Sequence, residues 1–290
     1  MDVSLIQVPY HAGDDAAGSS EGPRRLVEAG AAERLRARGL DVRIESVDRG
    51  GPFRDTASSA AQVNKGLAAS VHRAVEKARL PIVLSGSCNS ALGVLAGFDH
   101  SKCGAVWLDA HADFNTPETT VSGFFAGMSM AIVTGHCYRA YWAQIGNSTP
   151  LAEEAIVIFG VRDLSPEAER ERLQRSAITA VPWRQGEPQG DVLPALDRIA
   201  GRVGEIYLHV DFDAFAPDVA PGVFDQPVPG GLSLEGAEPI IRASAERFRI
   251  RAATLATFTP ERDQADKTLG VALRMIELLG DYAASKTASV

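Results

Sequence analysis

The sequence predicts an α/β protein built on a mostly parallel sheet of about eight strands, covered on both faces by helices. Three observations carry this. Compact apolar runs of strand length alternate with segments of helical period about eight times along the 290 residues. Hydrophobic residues make up 45% of the chain, ample for a packed core, and the whole of 1–290 is read as one domain. Two of the apolar runs end directly in acidic side chains, at the kind of position where open parallel sheets place their sites.

Residues 5–8 read as a first strand, followed by a flexible acidic loop through Gly22. Gly22-Pro23 opens a helix that carries Leu26, Ala29, Ala32 and Leu35 to a stop at Gly39, with Pro23 suited to the first turn. Residues 42–47 alternate as a second strand. A helical period over 57–79 (Val63, Leu67, Val71, Ala74, Ala78) leads into a third strand at 81–84, a small-residue turn S-G-S-C-N-S at 85–90 and a short apolar helix. That turn lacks the lysine and glycine spacing of a phosphate-binding loop. Residues 105–108 form a strand, 123–134 a small apolar helix, and 155–161 a strand. Ser165-Pro166-Glu167 is a helix start with a serine cap, proline in the first turn and acids near the positive end of the dipole. A strand at 178–181, a helix at 193–203 and a strand at 205–210 follow. Ser233 caps a helix to about Arg247, residues 252–258 form the last strand, and 263–282 a closing helix, with the small polar tail 283–290 expected to fray.

A net charge of −8 and a pI near 5.3 argue against a general nucleic-acid or anionic-membrane surface. No apolar run is long enough to cross a bilayer, and the first residues lack the basic flank of a signal peptide, so a cytoplasmic location is expected. Three cysteines, Cys88, Cys103 and Cys137, with no C-x-x-C spacing, give neither a disulfide framework nor a structural zinc cluster.

The chemistry concentrates in two stretches. The run 105–108 breaks into Asp109, His111 and Asp113, and the run 206–210 into Asp211 and Asp213. Alternate residues of an extended segment share a face, so four carboxylates and an imidazole are brought to one crevice. Such a concentration of charge calls for a divalent cation, and oxygen ligands with imidazole suit manganese, with iron, cobalt or zinc as alternatives.

With E-G-P-R-R-L (21–26), the S-G-S-C-N-S turn, D-A-H-A-D-F-N-T-P (109–117), F-G-V-R-D-L (159–164) and H-V-D-F-D-A-F-A-P (209–217), most of the chain resembles the arginase and agmatinase ureohydrolases. The resemblance implies a three-layer α/β/α fold, two manganese ions with a bridging hydroxide, and hydrolysis of a guanidine or amidine C–N bond in a small-molecule substrate. It also implies a homo-oligomer, trimer or hexamer. Asp109 and Asp211 would bridge the ions, Asp113 would bind one, and His111 with Asp213 the other. Asn115 and Ser122 match positions that hold a substrate's α-carboxylate, and Asp163 lies near the α-amino contact.

Three positions depart from the family's pattern. Cys88 stands where the family has a histidine ligand: as a thiolate it would weaken manganese there and favour a borderline metal, as a thiol it would bind nothing, and its place at the ligand position favours ligation. Ala126 stands where the family has its proton-shuttle histidine, and Thr257 where it has the carboxylate that pairs with the guanidinium; Glu261 and Asp263 are nearby acids that read better as helix-start residues. The cysteine and the missing shuttle resemble the Nω-hydroxy-L-arginine hydrolase branch. The expected function is therefore hydrolysis of hydroxyarginine or a related activated derivative. A degenerate metal-binding relative and an agmatinase or formimidoylglutamase type of hydrolase are the alternatives.

Overall fold

The computed structural model describes residues 1–11, 18–51, 55–224 and 227–287. Eight strands, all parallel, form one sheet: β1 (Val3–Val8), β2 (Val42–Ser46), β3 (Leu80–Ser85), β4 (Cys103–Leu108), β5 (Ile156–Phe159), β6 (Thr179–Val181), β7 (Glu205–Asp211) and β8 (Arg249–Ala256), in the order β2-β1-β3-β8-β7-β4-β5-β6. The central strands are buried along almost their whole length, which is why they read as continuous apolar runs.

Alternate strand residues feed two cores. Val106, Leu108, Leu208 and Val210 face one layer of helices: α1 (Gly22–Glu28), α2 (Ala31–Arg36), α8 (Val192–Ala200), α9 (Leu234–Arg247) and α10 (Lys267–Thr287). Ala105, Trp107 and Tyr207 face the other: α3 (Thr56–Glu76), α4 (Ala91–Ala96), α5 (Ser129–Val133), α6 (Arg139–Ala143) and α7 (Glu167–Arg175). The three-layer expectation is met. Ser233 caps α9 by accepting from the Gly236 N–H at 3.1 Å. Among the described residues no helix is long and apolar enough to cross a membrane.

Several elements differ from their expected form. The helix expected over 22–39 is two, separated at Gly30, whose φ of 92° a helix cannot continue through. Of 123–134 only Ala126–Met128, a 3-10 turn, and Ser129–Val133 are helical, and Gly123 takes a positive φ in an exposed loop. Ser165 does not cap α7: extended Pro166 occupies the position before the helix, and no side chain caps it. The helix α6 and the small hairpin of Trp183–Arg184 with Glu187–Pro188 carry too short a pattern to read from sequence. The closing helix begins at Lys267, and Asp263 accepts from the N–H groups of Thr268 and Leu269 at 2.9 and 3.0 Å, which commits that carboxylate to the helix start. Residues 283–287 continue this helix with Ala283 fully buried, so that part of the tail is ordered; 288–290, and 12–17 of the acidic loop, lie outside the described residues.

Candidate metal centre

The site forms at the carboxyl ends of β3, β8, β7 and β4, four neighbours in the sheet. Both acidic stretches fold by the same local device. Asp109 Oδ1 accepts from the His111 N–H at 2.8 Å, and Asp211 Oδ1 from the Asp213 N–H at 2.8 Å. These turns, rather than the extended alternation expected from the sequence, swing the third residue of each motif back over the strand end. The two turns are then tied together, with the Ala110 N–H donating to Asp213 Oδ1 at 3.0 Å. Gly160, at φ 102°, lets the β5 loop pass the Asp109 carbonyl, where a Cβ would sit 2.9 Å from that oxygen.

Asp109, His111, Asp113, Asp211, Asp213, Cys88 and Thr257 all converge. His111 Nδ1 lies 3.0 Å from Asp213 Oδ2 and 3.5 Å from Asp109 Oδ1. Cys88 donates its thiol to Asp211 Oδ2 at 2.7 Å, and Thr257 its hydroxyl to Asp211 Oδ1 at 2.5 Å. Asp113 and Thr257 both adopt positive φ, 51° and 73°, costly for a β-branched threonine and the kind of backbone strain that collects at functional sites. Above this cluster a cavity of about 20 Å³ is walled by His11, Phe124, Ala126 and Phe224. A second of about 140 Å³, sharing His111, Asp113 and Phe124, is lined by Asn115, Ser122 and Glu169. Two larger clefts, about 380 Å³ beside Arg172 and about 690 Å³ beside Arg184, hold none of the carboxylate cluster, so size does not locate the chemistry here.

Electrostatics shows what the cluster lacks. Burial, then repulsion from Asp213, pushes Asp109 up to about 6. Asp113 and Asp211 are held well above the usual carboxylate range by burial and by their carboxylate neighbours. Burial would raise Asp213 too, but the adjacent His111 outweighs it and holds Asp213 at about 2; that same contact lifts His111 well above its ordinary value against the cost of burying its charge. Burial and the Asp211 charge keep Cys88 a thiol. Asp113 Oδ2 is buried with no hydrogen-bond partner among the described residues. Protons and one imidazolium do here what divalent cations do better, and the donor set fits such ions. Among the described residues, two groups have ligand atoms within 4.8 Å of one another: Asp109, His111 and Asp213; and Cys88, Asp109 and His209.

The profile of the Arginase family matches residues 1–280. The chain belongs to the arginase family. It is 31% identical to the arginase of Bacillus caldovelox over 290 residues, covering 94% of this chain and 96% of that protein, and 28% identical to the arginase of Bacillus subtilis, covering 96% and 97%. The native structure of the Bacillus caldovelox arginase superposes with a TM-score of 0.87 at 30% identity, covering 97% of this chain and 98% of the other. The chain is thus an amidinohydrolase, and the family implies a binuclear manganese centre, for which candidate groups are present. The relatives named here are arginases, not hydroxyarginine hydrolases.

Asp163 is one expected site residue that the structure leaves aside. Its carboxylate sits at the rim, 47% exposed and 3.9 Å from His111 Nε2, and does not line the larger cavity. Glu169 lines it instead, accepting the Phe114 N–H at 2.9 Å and pushed up to about 7 by burial. In sequence it is one of two acids in the first turn of α7, with Glu167, and only the helix's rotation singles it out. Asn115 Nδ2 donates to the Ser165 carbonyl at 3.3 Å, and Ser122 Oγ accepts the Phe124 N–H at 3.1 Å, so both are partly engaged locally. His209 was legible: Tyr207, His209 and Asp211 alternate along β7 and share a face. Arg162 donates to the carbonyls of Asp213, Ala214 and Phe215 at 2.7, 3.0 and 3.1 Å, fixing the loop that carries Asp213.

Proposed function

We propose that this chain hydrolyses a C–N bond in an activated arginine derivative, with Nω-hydroxy-L-arginine as the substrate class. The supporting observation is the wall over the cluster: Phe124, Ala126, Phe224 and Thr257 offer no carboxylate to pair with a guanidinium, no imidazole stands at 126, and the imidazole of His11, which does wall the cavity, has its Nδ1 held 3.1 Å from Ser19 Oγ and 3.0 Å from the Gly86 carbonyl. A hydroxyguanidine asks less of the first, because it carries less positive charge at neutral pH. The amine that leaves as hydroxyurea forms is still the ornithine nitrogen, so its proton must come from another donor.

Cys88, Asp109, Asp113 and Asp211 would hold one divalent ion, and Asp109, Asp211, His111 and Asp213 the other, manganese being the family's metal. When bound, the ions lower the pKa of water and polarise the substrate's central carbon. The rest falls to the chain's own side chains. In the larger cavity the Asn115 amide and Ser122 hydroxyl can donate to an α-carboxylate, and Glu169 can accept from an α-ammonium, so an amino-acid head group fits there with its side chain directed at the cluster. The rings of Phe124 and Phe224 are parallel within 6° at 6.2 Å, and His11 stacks on Phe224 at 3.8 Å. This apolar cover excludes water and presents π-faces to a planar group. A cavity of about 20 Å³ holds about one water, so a substrate must displace one of these rings to enter.

The test is steady-state hydrolysis by metal-loaded protein, following hydroxyurea or urea. A kcat/KM for Nω-hydroxy-L-arginine above that for L-arginine supports the reading. The reverse order returns the chain to plain arginase activity, which the 31% identity to an arginase favours.

A further inference from the structure

We propose that His209 is a metal ligand, forming with Cys88 and Asp109 a cation position that selects a borderline ion such as zinc or cobalt. The inference rests on the metal centre proposed above and adds to it a residue one pleat deeper in the sheet.

His209 is fully buried in β7, directly opposite Trp107 of β4. Its Nε2 is buried and meets no hydrogen-bond partner among the described residues. On the other side of the ring, Nδ1 lies 2.8 Å from the Tyr207 hydroxyl, which in turn lies 2.8 Å from Thr254 Oγ1. With the Tyr207 proton directed to Thr254, the imidazole proton sits on Nδ1 and Nε2 keeps its lone pair for the group formed with Cys88 and Asp109. Ligating histidines are characteristically oriented in this way, by a hydrogen bond from the nitrogen that does not bind the metal.

Trp107 prepares two members of the group at once. Its indole stacks on the His209 ring at 3.8 Å and 17°, and its N–H donates to Asp109 Oδ2 at 2.9 Å. The ligand atoms of Cys88, Asp109 and His209 lie within 4.8 Å of one another, so that a small inward shift of the side chains sets all three at zinc bond lengths of about 2.0–2.3 Å. Thiolate, imidazole and carboxylate form a softer set than the Asp109, His111 and Asp213 group, which suits manganese. The two positions are accordingly unequal. Where a histidine ligand is missing from the turn after β3, an imidazole arrives from β7.

The experiment loads chelator-stripped full-length protein with Zn²⁺ or Co²⁺ and reads metal per chain by elemental analysis, ion positions by anomalous diffraction, and, for cobalt, the thiolate-to-metal charge-transfer absorption. The expected result is two cations per chain, one of them about 2.0–2.1 Å from His209 Nε2. His209→Phe, which keeps a flat ring against Trp107, should fall to one cation and lose the cobalt–thiolate band, whereas His111→Ala should keep that band. If His209→Phe does not fold by circular dichroism, the wild-type anomalous map decides alone. Two cations with neither bonded to His209, or an unchanged band and stoichiometry in folded His209→Phe, would overturn the assignment and leave the metal centre standing. No cation in the wild type would overturn both.

Discussion

Replacing Glu169 by glutamine isolates the cost of one buried charge. The carboxyl is pushed from 4.5 to about 7, chiefly by burial and despite the Phe114 N–H it accepts. Between those values the folded chain binds more protons than the unfolded one, so stability falls as pH rises from about 4.5 to about 7 and changes no further, on this group's account, above that. The shift corresponds to about 3 kcal/mol, at about 1.4 kcal/mol per unit. Glutamine keeps the shape and an acceptor for Phe114 but cannot ionise, and its unpaired amide costs about 1 kcal/mol. Glu169→Gln should therefore be neutral or slightly destabilising at pH 4 and more stable than wild type by about 2 kcal/mol at pH 8. Urea unfolding of chelator-treated protein across that range measures it, because every other titrating group is common to the pair. A stability difference that is flat with pH, or largest at acid pH, would refute the reasoning.

Metal removal should show the same sign on a larger scale. With Asp109 pushed up to about 6 by burial and Asp213, the stripped protein loses stability as pH rises from 3.8 through that value, so the gap in Tm between loaded and stripped protein should widen from pH 4 to pH 8 by calorimetry. Thr257→Val removes the hydroxyl that orients Asp211; a loss of about 1.4 kcal/mol would weaken metal binding about tenfold, read by titration against a competing chelator. Arg162→Met leaves the carbonyls of Asp213 and Phe215 without the guanidinium that donates to them, while that of Ala214 keeps the Leu232 N–H, and should cost about 3 kcal/mol in urea denaturation.

The sequence by itself determined the class of fold, most of the strands, the Ser233 cap and the two acidic strand ends. Each of these is written in local terms: hydrophobic period, a capping residue, or charge following an apolar run. It also marked Cys88, Ala126 and Thr257 as departures, since those depend on position within a motif. What it had no means to fix was the meeting of distant segments. The turns at Asp109 and Asp211, the cross-link from Ala110 to Asp213, and the stacking of His11, Phe124 and Phe224 bring together residues up to 213 positions apart. Glu169 rather than its α7 neighbours Glu167 and Glu171 faces the larger cavity because helix rotation, not residue type, decides which acid points inward, while Asp163 lies in the loop before the helix. His209 shares a strand face with Asp211 in the sequence pattern, but the burial of its Nε2 and its nearness to Cys88 and Asp109 come only from the fold. Burial and tautomer depend on three-dimensional neighbours, and those neighbours come from parallel strands whose order in the sheet differs from their order in the chain.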